Sequence, residues 1–153
     1  MKFLNESFAI LSAIALLSCN TADNGFSAPV GSTVEITGAA TTPSGEDSYV
    51  VATVKVTVPF NEDSVPGNNI QVSVFCNRCS LFDRASGETI STDPSRLTEV
   101  DNPYSFATQK DGTYQFVVKV ENPSDLGLDS YDAKVTADIT VATSDLTITV
   151  GSD

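Results

Sequence analysis

Three cysteines are the most reactive side chains in this sequence, and their spacing sets one apart from the other two. Cys76 and Cys79 form a Cys-x-x-Cys pair, whereas Cys19 follows an N-terminal apolar stretch. Such a pair supports redox chemistry where a helix N-terminus lowers the pKa of one thiol. Here the pair follows a strand-like segment, 70–75, and no helical periodicity comes after it. The pattern predicts a local structural disulfide; two reduced thiols and redox chemistry are the alternatives.

The chain contains no histidine, which excludes several classes of enzyme. Ser-His-Asp and Cys-His mechanisms need an imidazole, and two free cysteines cannot complete the ligand set of a structural zinc site. The acidic residues show no spacing that defines a glycosidase pair. We therefore predict a non-enzymatic protein without a cofactor or resident metal. Oxygen ligands at 61–63 (Asn61, Glu62 and Asp63) and carboxylates within 125–132 leave a calcium site as an alternative, since Ca²⁺ prefers oxygen ligands in loops.

The formal net charge is −12, from 20 acidic and 8 basic residues. A surface that binds phosphate backbones needs clustered Lys and Arg, and here the basic residues are scattered among carboxylates. We therefore predict no nucleic-acid partner. The acidity favours a solvated, self-repelling surface, with a surface for cations or a basic partner as the alternative.

Residues 1–19 read MKFLNESFAILSAIALLSC and carry an apolar run of about ten residues at 8–17. That run is too short for a permanent membrane helix, which needs about 20 residues, and is typical of a secretory signal peptide. The LLSC sequence at 16–19 resembles the bacterial lipobox, in which the cysteine becomes the lipidated first residue. The resemblance implies a lipoprotein signal peptide that is removed before Cys19.

Lipidation of Cys19 agrees with the cysteine count. It uses one thiol and leaves Cys76 and Cys79 as an even pair in an oxidising compartment. We therefore expect a signal peptide at 1–18, acyl chains such as palmitate on Cys19 that hold the protein to a membrane, and a flexible polar tether at 19–32. An ordinary signal peptide with an incidental cysteine is the alternative.

Residues 33–153 alternate between apolar and polar side chains, which is the period of β-strands with one buried face. The apolar faces comprise Val50, Ala52, Val54, Val56 and Val58; Ile70, Val72 and Val74; Tyr114, Phe116, Val118 and Val120; Val135, Ala137, Ile139 and Val141; and Leu146, Ile148 and Val150. Turn residues separate these runs. The pattern predicts an all-β fold, an immunoglobulin-like antiparallel sandwich of two sheets and about seven strands.

Three segments carry a resemblance to a known family. The order of Thr53–Val58, Val65–Val72 and Thr108–Tyr114 looks like that of bacterial immunoglobulin-like domains of the invasin/intimin type. There a Val/Thr-rich strand leads through a Pro-Gly turn into a second strand, and a Thr-x-x-x-Gly turn precedes a late strand. The resemblance covers roughly 33–150.

This resemblance implies a function in contact and adhesion. We expect a lipid-anchored protein of the bacterial envelope whose domain contacts a protein or a glycan. Asn20, in place of Asp after the cysteine, favours the outer membrane. A structural spacer or scaffold of a secretion, conjugation or pilus apparatus is the alternative.

Tyr114 follows Asp111-Gly112-Thr113, and this sequence resembles the tyrosine corner of immunoglobulin domains. In that motif the phenol bonds to nearby backbone. Plain packing of Tyr114 in the core is the alternative.

The polar segment 80–102 is longer than the connection expected between two strands of a sandwich. Long loops on a rigid scaffold are where binding residues concentrate. The candidate binding residues in this segment are Asp83, Arg84, Glu88, Asp93 and Arg96. A variable loop with a short edge strand is the alternative.

Overall fold

A computed structural model of the chain describes residues 25–42 and 46–151. The predicted signal peptide and Cys19 lie outside the described residues. Within them, no helix has both the length and the apolar character that crossing a membrane requires.

The described residues form eleven β-strands and two short 3-10 helices, arranged as two sheets. Sheet A comprises β1 (Thr33–Thr37), β3 (Ser48–Phe60), β4 (Asp63–Pro66), β6 (Ser80–Arg84), β7 (Leu97–Glu99) and β9 (Thr113–Val120). Sheet B comprises β2 (Thr41–Thr42), β5 (Gln71–Asn77), β8 (Tyr104–Ala107), β10 (Tyr131–Asp138) and β11 (Thr143–Val150). The first 3-10 helix is Pro94–Arg96 and the second is Pro123–Leu126.

The strand order is that of an immunoglobulin-like sandwich. Sheet A runs β1-β3-β9-β6-β7, with β4 beside the end of β3, and sheet B runs β2-β11-β10-β5-β8. The run β1-β3-β9-β6 reproduces the A-B-E-D sheet of immunoglobulin domains, and β11-β10-β5 reproduces the facing G-F-C sheet. The predicted all-β, two-sheet fold is confirmed. The strand count exceeds the expected seven because β2, β4, β7 and β8 have two to four residues each, too few for a visible alternation.

The alternating side chains form the core between the sheets. On β3, Ala52, Val54 and Val56 are fully buried, and on β10 Val135 and Ala137 are fully buried as well. A strand directs successive side chains to opposite faces, so one row enters the core while the other stays at the surface. Burial of a valine side chain contributes about 1.5–3 kcal/mol, so repetition of this row on each long strand holds the sheets together.

The segment before β1 packs against the sandwich. The N–H of Phe26 donates to the carbonyl of Asn69 at 2.7 Å, and Ala28 joins the core at 9% exposure. This differs from the flexible tether expected over 19–32, because from Phe26 onward the backbone finds partners in the domain. The structured domain thus begins earlier than residue 33.

The turns between antiparallel strands fall at two opposite ends of the sandwich. The proximal end carries the N-terminal segment 26–32, the β3–β4 turn, the start of β5 and the β10–β11 turn. The distal end carries the Cys76–Cys79 turn and the second 3-10 helix, where β9 leads toward β10. The chain therefore joins the domain at the end opposite to these distal turns.

The tyrosine corner is formed by Tyr131 and not by Tyr114. The hydroxyl of Tyr131 donates to the carbonyl of Glu121 at 2.9 Å and accepts the N–H of the same residue at 2.9 Å. Tyr131 begins β10, just after the crossover from β9, where immunoglobulin domains place this residue. The prediction of a corner at Tyr114 is wrong, because its phenol bonds to a side chain on β6 and not to nearby backbone.

Candidate functional site

Cys76 and Cys79 are joined by a disulfide, as predicted from their spacing. Their Cα atoms lie 5.6 Å apart, and Cys76 is 3% exposed at the end of β5. The side chain of Asn102 also fixes the backbone of Cys76. Its oxygen accepts the N–H of Cys76 at 3.0 Å, and its amide donates to the Cys76 carbonyl at 2.7 Å. A loop this short limits the entropic stabilisation from the bond to about 2 kcal/mol. The disulfide therefore shapes the distal turn more than it stabilises the whole domain.

Asp83 lies at one open edge of the sandwich, where strands of both sheets meet. The hydroxyls of Tyr104 on β8 and Tyr114 on β9 both donate to Asp83 Oδ2, at 2.5 Å each. Phe106 stacks on the Tyr114 ring at a centroid distance of 4.1 Å, and Asp83 is only 16% exposed. Hydrogen bonds to an ionised acceptor are roughly twice as strong as neutral ones. Asp83, Tyr104 and Tyr114, the Asp83 cluster, therefore tie β6 to the edge of sheet B.

Burial and the adjacent carboxylate alter the titration of both phenols. Burial first, then the hydrogen bond to Asp83, raises the pKa of Tyr104 and of Tyr114 above the ordinary value of about 10. The folded protein thus keeps these protons at pH values where the unfolded chain loses them. By linkage, the stabilisation is complete below about pH 10 and is lost as the pH rises further.

The other candidate binding residues make separate local contacts. The guanidinium of Arg96 pairs with the carboxylate of Glu88 across the loop between β6 and β7. Asp93 caps the first 3-10 helix by accepting the N–H of Ser95 at 3.0 Å. The segment 80–102 is therefore largely a β6–β7 hairpin with a short edge strand. This agrees with the alternative left open by the sequence.

Arg84 is the predicted residue that borders a hollow on the surface of sheet A. Its guanidinium lies 5.5 Å from the ring centroid of Tyr114, and the hollow has a volume of about 380 Å³. The other lining residues are polar: Thr53, Gln109, Asp111, Thr113 and Gln115. A hollow lined by hydrogen-bonding side chains suits a hydroxylated ligand better than an apolar one.

The five candidate binding residues of the segment 80–102 therefore form no single site, because Asp83, Arg84 and the Glu88–Arg96 pair make separate contacts.

An apolar groove opens at the distal end, beside the disulfide. Arg78, Cys79, Glu121, Leu126 and Leu128 line this distal groove, which has a volume of about 390 Å³. Leu126 is 45% exposed and Leu128 is 41% exposed. An apolar floor with a few charged groups at its rim is the usual composition of a binding site, where the apolar part gives affinity and the charges fix orientation. The distal groove is the candidate contact surface of the domain.

The sequence-based predictions do not include the distal groove. Residues 125–132 stand out in the sequence only as a source of calcium ligands, and among the residues that the structure describes no group of three or more acidic, histidine or cysteine side chains is arranged to hold a metal ion. The turn is shaped by the second 3-10 helix, which Asn122 caps and Gly127 ends with a φ of 69°. The available signal was Leu126-Gly127-Leu128, two large apolar residues in a turn where polar ones are usual.

Comparison with known proteins adds little to this geometry. No protein-family model matches the chain, and no curated protein matches it significantly. Solved structures that match include an ASH/PapD-like domain, PapD-like domain 7, of human CEP192, with 11% sequence identity, a TM-score of 0.34, and coverage of 94% of this chain and 95% of that chain. At this score the likeness carries no argument about function, and the immunoglobulin-like assignment rests on the strand order.

The Asp83 cluster predicts a stability effect at neutral pH. Asp83→Asn should lower the free energy of unfolding by about 1–3 kcal/mol, because two half-buried phenols lose a charged acceptor. Urea denaturation at neutral pH measures this change. Asp101→Asn is the matched control, since that carboxylate is exposed. Equal stability of the two variants would show that the cluster contributes nothing.

The raised pKa of the two phenols predicts an alkaline weakening of the fold. The contribution of these two phenols to stability should be constant below about pH 10 and should decline above it, because only the unfolded chain then ionises these tyrosines. Tyr104→Phe removes one of the two groups and should make the decline shallower. Urea midpoints measured across the alkaline range, alongside phenolate absorbance, test this; an identical decline in the variant and the original protein would refute it.

Proposed function

We propose that this protein is a non-enzymatic lipoprotein of the bacterial envelope, anchored through lipid on Cys19, whose immunoglobulin-like domain contacts a partner through the distal groove. The observation that carries the proposal is the opposite placement of two features. The N-terminal segment joins the sandwich at the proximal end, and the distal groove opens at the other end. An anchor on the N-terminal side would leave the distal groove facing away from the membrane, where a partner can reach it.

The length of chain supports this orientation. Phe26 lies seven positions after Cys19, and seven residues span at most about 25 Å. Several acyl chains on one cysteine give lasting attachment, because each buried methylene contributes about 0.8 kcal/mol. The proximal end would then stay near the membrane. Of the two membranes, Asn20 favours the outer one.

The lining of the distal groove favours apolar side chains of a protein as its ligand. Leu126 and Leu128 offer no hydrogen bonds, and a sugar whose hydroxyls were buried against them would lose its water without replacement. Arg78 and Glu121, which also line the groove, can pair with polar groups beside an apolar anchor. A glycan would fit better in the polar hollow beside Arg84, which supports glycan contact as the second form of the proposal.

The anchor is tested by replacing the acylated cysteine. Cys19→Ala should move the protein from the membrane fraction to the soluble fraction and abolish incorporation of a labelled fatty acid, because the thiol that carries the lipid is gone. The double variant Cys76→Ser and Cys79→Ser is the control and should stay at the membrane. Membrane retention of Cys19→Ala would contradict lipidation.

The distal groove is tested by photo-crosslinking in intact cells. A photoreactive phenylalanine analogue at Leu128 should give a discrete cross-linked product, and Leu126→Ser should reduce its yield because the apolar contact is lost. The same analogue at Phe75, which is 53% exposed on β5, is the matched control. Equal products from both positions, or none from Leu128, would contradict contact through the distal groove.

The identity of the product separates the forms of the proposal. A product removed by glycosidases indicates a glycan, and a protein that belongs to a secretion, conjugation or pilus apparatus favours the alternative of a spacer or scaffold. Protease treatment of whole cells adds a second criterion, since an adhesive domain should be cut from the surface while an internal accessory should survive.

A further inference from the structure

The proximal end concentrates exposed apolar side chains. Seven large hydrophobic residues are exposed among those that the structure describes, and four of them lie at this end. These four are Phe26 at 68%, Val30 at 88%, Phe60 at 62% and Val141 at 42% exposure. Single exposed hydrophobic residues are ordinary on protein surfaces. Four exposed apolar residues at one end, two of them phenylalanines, indicate a surface that contacts another molecule.

The N-terminal segment carries two of these residues past the end of β3 and the start of β5. Phe60 ends β3, and the turn that contains Val30 runs beside it, since a Cβ placed on Gly31 would lie 3.6 Å from Cγ of Pro59. Phe26 is fixed nearby by its bridge to the start of β5. The apolar residues therefore border the path by which the chain reaches the domain.

We propose that this proximal apolar end, formed by Phe26, Val30 and Phe60, inserts shallowly into the lipid surface to which the protein is anchored. The inference rests on the proposed lipidation of Cys19. With lipid on that residue, the reach of the chain confines Phe26 to within about 25 Å of the bilayer surface. A tethered apolar surface meets lipid at a high effective concentration, and apolar side chains at an interface lie about 5–10 Å deep, at the boundary of headgroups and acyl chains.

Charge restricts the kind of lipid. Glu62 in the turn that follows Phe60 and Asp63 at the start of β4 are both exposed, and the whole chain carries a net charge of −12. Anionic headgroups would repel these carboxylates, whereas zwitterionic headgroups would not. The occupant is therefore a neutral phospholipid surface, and the contact depends on apolar burial alone.

The absence of tryptophan from the sequence provides a clean probe. Phe60→Trp introduces a single reporter in the mature lipidated protein, which is reconstituted into phosphatidylcholine vesicles with or without brominated acyl chains. The tryptophan fluorescence should shift to shorter wavelength on reconstitution. Brominated lipid should quench most of it, whereas iodide dissolved in the aqueous phase should quench it only weakly. Phe75→Trp, on the outer face of sheet B, is the control and should behave in the opposite way. Phe26→Trp repeats the test should the first variant fail to fold.

Each outcome decides the inference. Lipid quenching of Phe60→Trp but not of Phe75→Trp supports it. A vesicle-bound protein whose Phe60→Trp reporter is as accessible to iodide as the control overturns it and leaves the anchor intact. Shielding that depends on protein concentration and shows no lipid quenching means that a second copy covers this end, which also overturns it. Failure of the protein to float with vesicles overturns the anchor and the inference together.

Discussion

The exclusion of water from the space between two sheets is the constraint on which the rest of this structure depends. Rows of small and β-branched side chains supply it, such as Val54 and Val56 on sheet A facing Val135 and Ala137 on sheet B, all of them fully buried. Each residue contributes little, and the sum across the long strands is large. The backbone N–H and C=O groups of these strands are used in hydrogen bonds between strands. The shape of the domain can therefore vary only in the turns at its two ends and at the edges of the sheets.

The edges of a sandwich are its weak places, since two sheets that do not close leave a gap between them. Here polar side chains fill part of that gap. Asp83 accepts hydrogen bonds from Tyr104 and Tyr114, while the ring of Phe106 covers Tyr114. A satisfied polar group at such a site fixes a single arrangement of the strands, whereas an unsatisfied one would be costly. The same geometry removes Asp83 from the set of residues free to bind a partner.

The two ends of the sandwich differ in what they expose, and the proposals assign them different roles. The distal end has a concave surface that Leu126 and Leu128 line together with the charged residues Arg78 and Glu121, a shape suited to one specific ligand. The proximal end has separate protruding side chains, Phe26 and Phe60 among them, which suit a deformable surface such as that of a lipid bilayer. A domain that rests one end on lipid and presents the other outward would need no further element to orient it.

Local regularities let the sequence by itself determine the β architecture, the core rows such as Val54 and Val56, and the Cys76–Cys79 disulfide. Each depends on neighbours in the chain: side chains alternate with period two, and two intervening residues keep a pair of cysteines in reach. Tertiary structure alone decided that Tyr131 and not Tyr114 forms the corner, and that Asp83 joins the sheets. It also decided that the apolar turn after β9 meets the disulfide. These contacts bring together strands distant in sequence, and a single sequence carries no record of which strands pair.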